Sequence, residues 1–113
     1  MGKISPTILK ALFKLVIDDT KYEISLLYDY LDYLKENIKR LELIDSYNAK
    51  MQATDKQSKR DYYAEGMKLL FSSGEDFQNY HDVLQEYRDA LVTRQQRITD
   101  LYNEIKLIKK LKV

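Results

Sequence analysis

The feature that most constrains the fold is an apolar repeat in the last third of the sequence. From Phe77 onward, steps of three and four residues reach eleven positions, nine of which are apolar or aromatic. They are Phe77, Tyr80, Leu84, Tyr87, Leu91, Arg94, Ile98, Leu101, Ile105, Ile108 and Lys112. Because this spacing puts every member on one stripe of an α-helix, it predicts a long heptad helix over about 75–111. Ser72, three residues before Glu75, predicts a capping box at its start.

A second apolar stripe with the same spacing crosses the first half of the chain. Its members are Ile24, Leu27, Leu31, Leu34, Ile38, Leu41, Ile44, Tyr47 and Met51. Thr20 stands three residues before Glu23 and therefore resembles a helix cap. The pattern predicts a long helix over about 20–55.

Shorter helices are predicted on either side of the second stripe. Ser5 followed by Pro6 is typical of a helix start. The polar residues 18–20 would end that helix or bend it into the next one, which gives a short N-terminal helix over about 6–17. Polar residues near 55–60 favour a break in the chain, followed by a short helix over about 59–71 with Ser58 as its cap.

Few residues of the chain favour turns, since the 113 residues include three glycines and one proline. Such scarcity argues against many short strands. We therefore expect one all-α domain over 1–113. Its predicted architecture is an elongated antiparallel helical hairpin, or coiled-coil bundle, with a short N-terminal helix.

The composition argues against catalysis. Without cysteine the chain has no disulfide, thiolate metal site or cysteine nucleophile, and it has a single histidine, His81. Carboxylate-bridged metal centres in helical bundles use Glu-x-x-His pairs, but Gln78 stands three residues before His81. We expect a non-enzyme with no catalytic residue, cofactor or metal ligand, and the default compartment is the cytoplasm.

The leading functional hypothesis is a helical protein–protein interaction module of the chaperone, adaptor or assembly-factor type. It would bind a partner helix, or form a homo-oligomer, through the heptad seam. The recognition stripe predicted for this role is Leu84, Leu91, Arg94, Ile98 and Leu101.

Arg94 is the charged member of this stripe. In an antiparallel hairpin that turns near residue 73, Arg94 is expected opposite residues 45–55. Two interpretations stay open: Arg94 fixes the register or the oligomeric state, or its stem passes a loosely packed layer to reach water.

The charges are sorted along the chain, and this sorting supports an alternative hypothesis. Three lysines and no acid precede residue 15, four lysines and no acid follow residue 105, and residues 15–105 carry 12 basic and 18 acidic residues. An antiparallel hairpin would bring the two basic ends together. The alternative is a peripheral protein that docks on an anionic membrane or an acidic partner, whereas the acidic middle disfavours nucleic acid. The predicted contact residues are Ile8, Leu12, Phe13, Lys10, Lys14, Lys109 and Lys110.

Overall fold

The computed structural model describes residues 4–111 and contains three helices with no strand among those residues. The helices are α1 (Pro6–Ala53), α2 (Gln57–Leu70) and α3 (Tyr80–Lys110). The predicted all-α helical hairpin class is confirmed. The chain divides into two compact units. Unit 1 combines α1 up to Leu31 with α3 from Val92, and unit 2 spans Asp32–Leu91.

The first helix is continuous where the sequence predicted a boundary between 6–17 and 20–55. Its start is as predicted, because the Ile8 N–H donates to Ser5 Oγ at 3.3 Å and Pro6 is the first helical residue. Thr20 does not end the helix, since its hydroxyl donates to the Val16 carbonyl at 2.7 Å and its side chain is buried. Because this bond satisfies the hydroxyl within the helix, Thr20 can face the core without ending the helix.

The predicted break near 55–60 is confirmed, since α1 ends at Ala53 and α2 begins at Gln57. The predicted cap at Ser58 is wrong. Lys56 is the residue that precedes the first turn of α2, and no side chain caps that end. Instead, the Arg60 Nε–H donates to the Thr54 carbonyl at 2.8 Å, which ties the first turn of α2 to the residues that precede it.

The last helix begins at Tyr80, later than the predicted 75. Ser72 and Glu75 do pair, with the Ser72 N–H donating to Glu75 Oε1 at 2.8 Å, but they close a turn before the helix. Gly74 in that turn has a φ of 83°, which interrupts any helix through it. The helix start is capped by Asp76 Oδ1, which accepts from the Asn79 N–H at 2.9 Å, while Asn79 Oδ1 accepts from the Asp76 N–H.

Unit 2 is built around one apolar cluster to which all three helices contribute. The cluster contains Ile38, Leu41 and Ile44 of α1, Met67 of α2, and Tyr80 and Leu84 of α3. The Tyr80 hydroxyl donates to Asp45 Oδ1 at 3.0 Å, so its polar atom is satisfied at the edge of the cluster. Gly66 lets α2 approach α1 closely, because a Cβ there would lie 3.0 Å from the Tyr47 ring.

Arg40 ties three segments of unit 2 together from its place on α1. Its guanidinium forms a bidentate ion pair with Glu75, in which Nη2 donates to Oε2 at 2.8 Å and Nη1 donates to Oε1. Nη1 also donates to the Leu70 carbonyl at the end of α2, at 2.9 Å. This bonding to Arg40 holds the pKa of the Glu75 carboxyl below its ordinary value of 4.5.

We expect Glu75→Gln to lower the free energy of unfolding by about 2 kcal/mol near neutral pH, because Arg40 loses its charged partner. A pKa that is lowered on folding contributes stability above the unfolded value, and that contribution is lost as the pH falls through the folded pKa. The difference between wild type and variant should therefore shrink below about pH 4. Urea denaturation across this pH range measures it.

The matched control for this prediction is Glu65→Gln. Glu65 pairs with Lys68 at 3.3 Å on the surface of α2, where both side chains are mostly exposed. Its loss should cost less than about 0.5 kcal/mol at any pH. Equal effects of the two substitutions would contradict the role assigned to the Arg40–Glu75 pair.

Candidate interaction surfaces of unit 1

Unit 1 is an antiparallel pair formed by the first part of α1 and the last part of α3. Arg97 Nη2 lies 3.2 Å from Glu23 Oε1, and the Arg94 guanidinium lies 5.4 Å from the centre of the Tyr30 ring. Positions later in α1 thus meet positions earlier in α3. The buried side chains between the two helices are Thr20, Ile24, Leu31, Ile98, Leu101 and Ile105.

The predicted recognition stripe is divided between the two units. Leu84 is buried in unit 2, and Leu91 packs half-buried against the same cluster. Ile98 and Leu101 are buried in unit 1. In this conformation the chain itself covers most of that surface, and partner binding through these five residues stays a prediction.

Arg94, the charged member of the stripe, lies over Tyr30 and not opposite residues 45–55 as predicted. The prediction placed the reversal of the chain near residue 73, but α2 and residues 71–79 both lie between the two paired helices in the sequence. Arg94 is also exposed, so its guanidinium stays hydrated and needs no buried partner.

A groove of about 450 Å³ lies between the beginning of α1 and the end of α3. It combines an apolar floor with four lysines and a single aspartate. We call it the basic groove, and its lining residues are Lys10, Phe13, Lys14, Ile17, Asp18, Lys21, Ile108, Lys109 and Leu111. The structure thus brings together Lys10, Phe13, Lys14 and Lys109 of the predicted membrane or acidic-partner set. Ile8, Leu12 and Lys110 are exposed and do not line the groove.

Opposite the packed face of α1 lies a second apolar stripe, which the sequence analysis missed. Ile8, Leu15, Tyr22 and Leu26 are 56%, 60%, 66% and 50% exposed. At about 100° per residue, they fall within about 40° of one another and on the opposite side of the helix from the buried Ile24. We call these four residues the outer stripe. The sequence does contain the periodic pattern that predicts this stripe, because seven residues separate Ile8 from Leu15 and seven separate Leu15 from Tyr22.

The two flanks of the outer stripe differ in character. Leu12 and Val16, exposed by 44% and 48%, lie along one flank together with the exposed acids Asp19 and Glu23. Lys14 and Asp18, both exposed, lie along the other. The first flank therefore combines two apolar side chains with two acids, whereas the second flank carries a lysine and an acid.

Residues 4–111 also bear on two other classes of site. Within this range, no helix has both the length and the apolar character that crossing a bilayer requires. The same residues hold no group of three or more acidic or histidine side chains arranged to bind a metal ion. His81 lies with its Nε2 atom 3.5 Å from Asp45 Oδ1 on the surface of unit 2.

We expect Arg94→Leu to change the free energy of unfolding by less than about 1 kcal/mol, because an exposed cation over an aromatic ring contributes little. Leu101→Ala on the same helix is the contrasting variant, since Leu101 is fully buried. It should cost about 3 kcal/mol. Urea denaturation compares the two, and an effect of Arg94→Leu above about 2 kcal/mol would support a register-fixing role for Arg94.

Comparisons with protein-family models, with curated proteins and with solved structures find no match to this chain.

Proposed function

We propose that this chain is a non-catalytic interaction module that binds a helix of a protein partner through the outer stripe of α1. The observation that carries the proposal is the exposure of four large apolar side chains on a helix whose opposite face is already packed. Large apolar side chains that are exposed along one line of a helix are typical of interaction sites in soluble proteins. Chaperones, adaptors and assembly factors are the classes that this mode of binding suits.

The spacing of the outer stripe supports a helical partner. Ile8, Leu15, Tyr22 and Leu26 follow intervals of seven, seven and four residues, which keeps them on one line along the helix. A partner helix with apolar residues at the same intervals buries all four at once. Tyr22 is suited to such a contact, because its ring is apolar and its hydroxyl can stay at the edge in water.

The test places a photoreactive p-benzoylphenylalanine at Tyr22 in cells that produce the chain. We expect adducts with a helical segment that has apolar residues at intervals of three and four, mapped by mass spectrometry. Leu15→Glu should abolish these adducts without unfolding the protein, because Leu15 is 60% exposed. The same photoreactive group at Tyr62, an exposed tyrosine of α2, is the matched control.

Two outcomes of the cross-linking would contradict the proposal. One is an equal yield of adducts at Tyr22 and Tyr62. The other is a yield at Tyr22 that Leu15→Glu leaves unchanged.

A second candidate function is docking on an anionic membrane, and the basic groove is the observation that favours it. Lys10, Lys14, Lys21 and Lys109 surround an apolar floor, and each lysine near an anionic surface contributes about 1 kcal/mol to binding. Leu111, which lines the same groove and is exposed, would add apolar contact with the bilayer interface.

Co-sedimentation with vesicles tests this second function. If it is correct, the protein binds phosphatidylserine-containing vesicles, and the double variant Lys10→Glu/Lys14→Glu binds at least tenfold more weakly. The control Lys35→Glu/Lys39→Glu changes two exposed lysines at the same four-residue interval in unit 2 and should bind as wild type does. Membrane docking is rejected if the wild-type protein stays in the supernatant, or if both double variants lose binding equally.

A further inference from the structure

We infer that the partner of the outer stripe is the outer stripe of a second copy of this chain, paired antiparallel about a two-fold axis at Leu15. The inference rests on the proposed function and identifies the partner helix. Two properties of the exposed surface support it: the symmetric spacing of the stripe and the different character of its two flanks.

The spacing of the outer stripe is symmetric about Leu15. Ile8 precedes Leu15 by seven residues and Tyr22 follows it by seven. Ile4, just before α1, and Leu26 each lie four residues further out, and both are exposed. In an antiparallel pair, Leu15 meets its own copy and Ile8 meets Tyr22 at both ends. One patch that meets itself in this way forms the isologous interface of a two-fold dimer.

The flanks of the stripe distinguish antiparallel from parallel pairing. A two-fold axis perpendicular to the helices brings each flank against the same flank of the second copy. Leu12 then lies beside Val16 of the other chain. Lys14 lies between Asp18 and Lys14 of the other chain, and its pairing with Asp18 gives two symmetric ion pairs. An axis parallel to the helices would instead bring Asp18 beside Asp19 of the other chain, a like-charge contact. It would also set Lys14 beside Leu12 and Val16, where the charge loses hydration without gaining a partner.

The distribution of charge along α1 favours the same orientation. About Leu15, residues 4–14 pair with residues 16–26. The first segment contains Lys10 and Lys14 and no acid, whereas the second contains three acids and one lysine. Antiparallel pairing places the basic half of each helix against the acidic half of the other. Parallel pairing would place like charge against like charge along the whole contact.

Single-cysteine variants test the pairing in the purified protein. The chain contains no cysteine, so each introduced residue supplies the only thiol. We expect Leu15→Cys to form a disulfide-linked dimer under mild oxidation. Ile8→Cys alone should form at least tenfold less, because residues 8 of the two copies lie about 21 Å apart along the paired helices. A mixture of Ile8→Cys and Tyr22→Cys should regain the cross-link.

Charge exchange tests the flank contacts by sedimentation equilibrium. Lys14→Glu and Asp18→Lys should each raise the dimer dissociation constant about tenfold, because each creates two like-charge pairs. The double variant Lys14→Glu/Asp18→Lys restores opposite charges across the interface and should return to within about twofold of wild type. Additive losses in the double variant would overturn the ion pairs and, with them, the antiparallel orientation.

The cross-linking results separate this inference from the proposed function. Equal disulfide formation by Leu15→Cys and Ile8→Cys, or none by Leu15→Cys, overturns the antiparallel self-pairing. If the photoreactive group at Tyr22 then captures a helix of a different protein, the proposed function stands with another partner. If it captures nothing above the Tyr62 control, both proposals fail.

Discussion

Burial of one apolar stripe of α1 within the chain is the constraint on which the other features depend. Ile24 and Leu31 are buried in unit 1, and Ile38, Leu41 and Ile44 are buried in unit 2. Each such side chain contributes about 1.5–3 kcal/mol to folding, so this face of the helix is fixed. Because side chains on the opposite face of a helix point away from the same neighbours, the outer stripe cannot share that core. Its exposure follows directly from the packing of the inner face.

The spacing of apolar residues was sufficient to predict the helices and their packed faces, but not where each helix begins. The stripe from Ile24 to Ile44 is buried almost throughout, as predicted. The start of α3 is fixed by Gly74, whose positive φ interrupts the helix, and by the Asp76–Asn79 cap. The spacing of apolar residues registers neither feature. The position of Arg94 was wrong because the prediction assumed that the chain reverses near residue 73, whereas α2 and residues 71–79 both separate α1 from α3 in the sequence.

Part of the candidate site was also predictable. Charge counting along the sequence placed Lys10, Lys14 and Lys109 together, and the basic groove brings them around Phe13. The outer stripe was missed because its heptad is interrupted by charged residues such as Asp18, so the inner stripe gives the stronger periodic signal. Spacing alone does not distinguish an apolar stripe that packs inside the chain from one that is available to a partner. The solvent exposure of each side chain in the structure does.

Hydrogen–deuterium exchange at low and high protein concentration tests most directly whether the outer stripe is the interface. If it is, amide protection over residues 8–26 rises with concentration, because the paired helices open less often. Protection over residues 38–44, in the core of unit 2, should stay unchanged. Protection that is independent of concentration throughout α1, or that changes over residues 84–101 of α3 instead, would contradict an interface at the outer stripe.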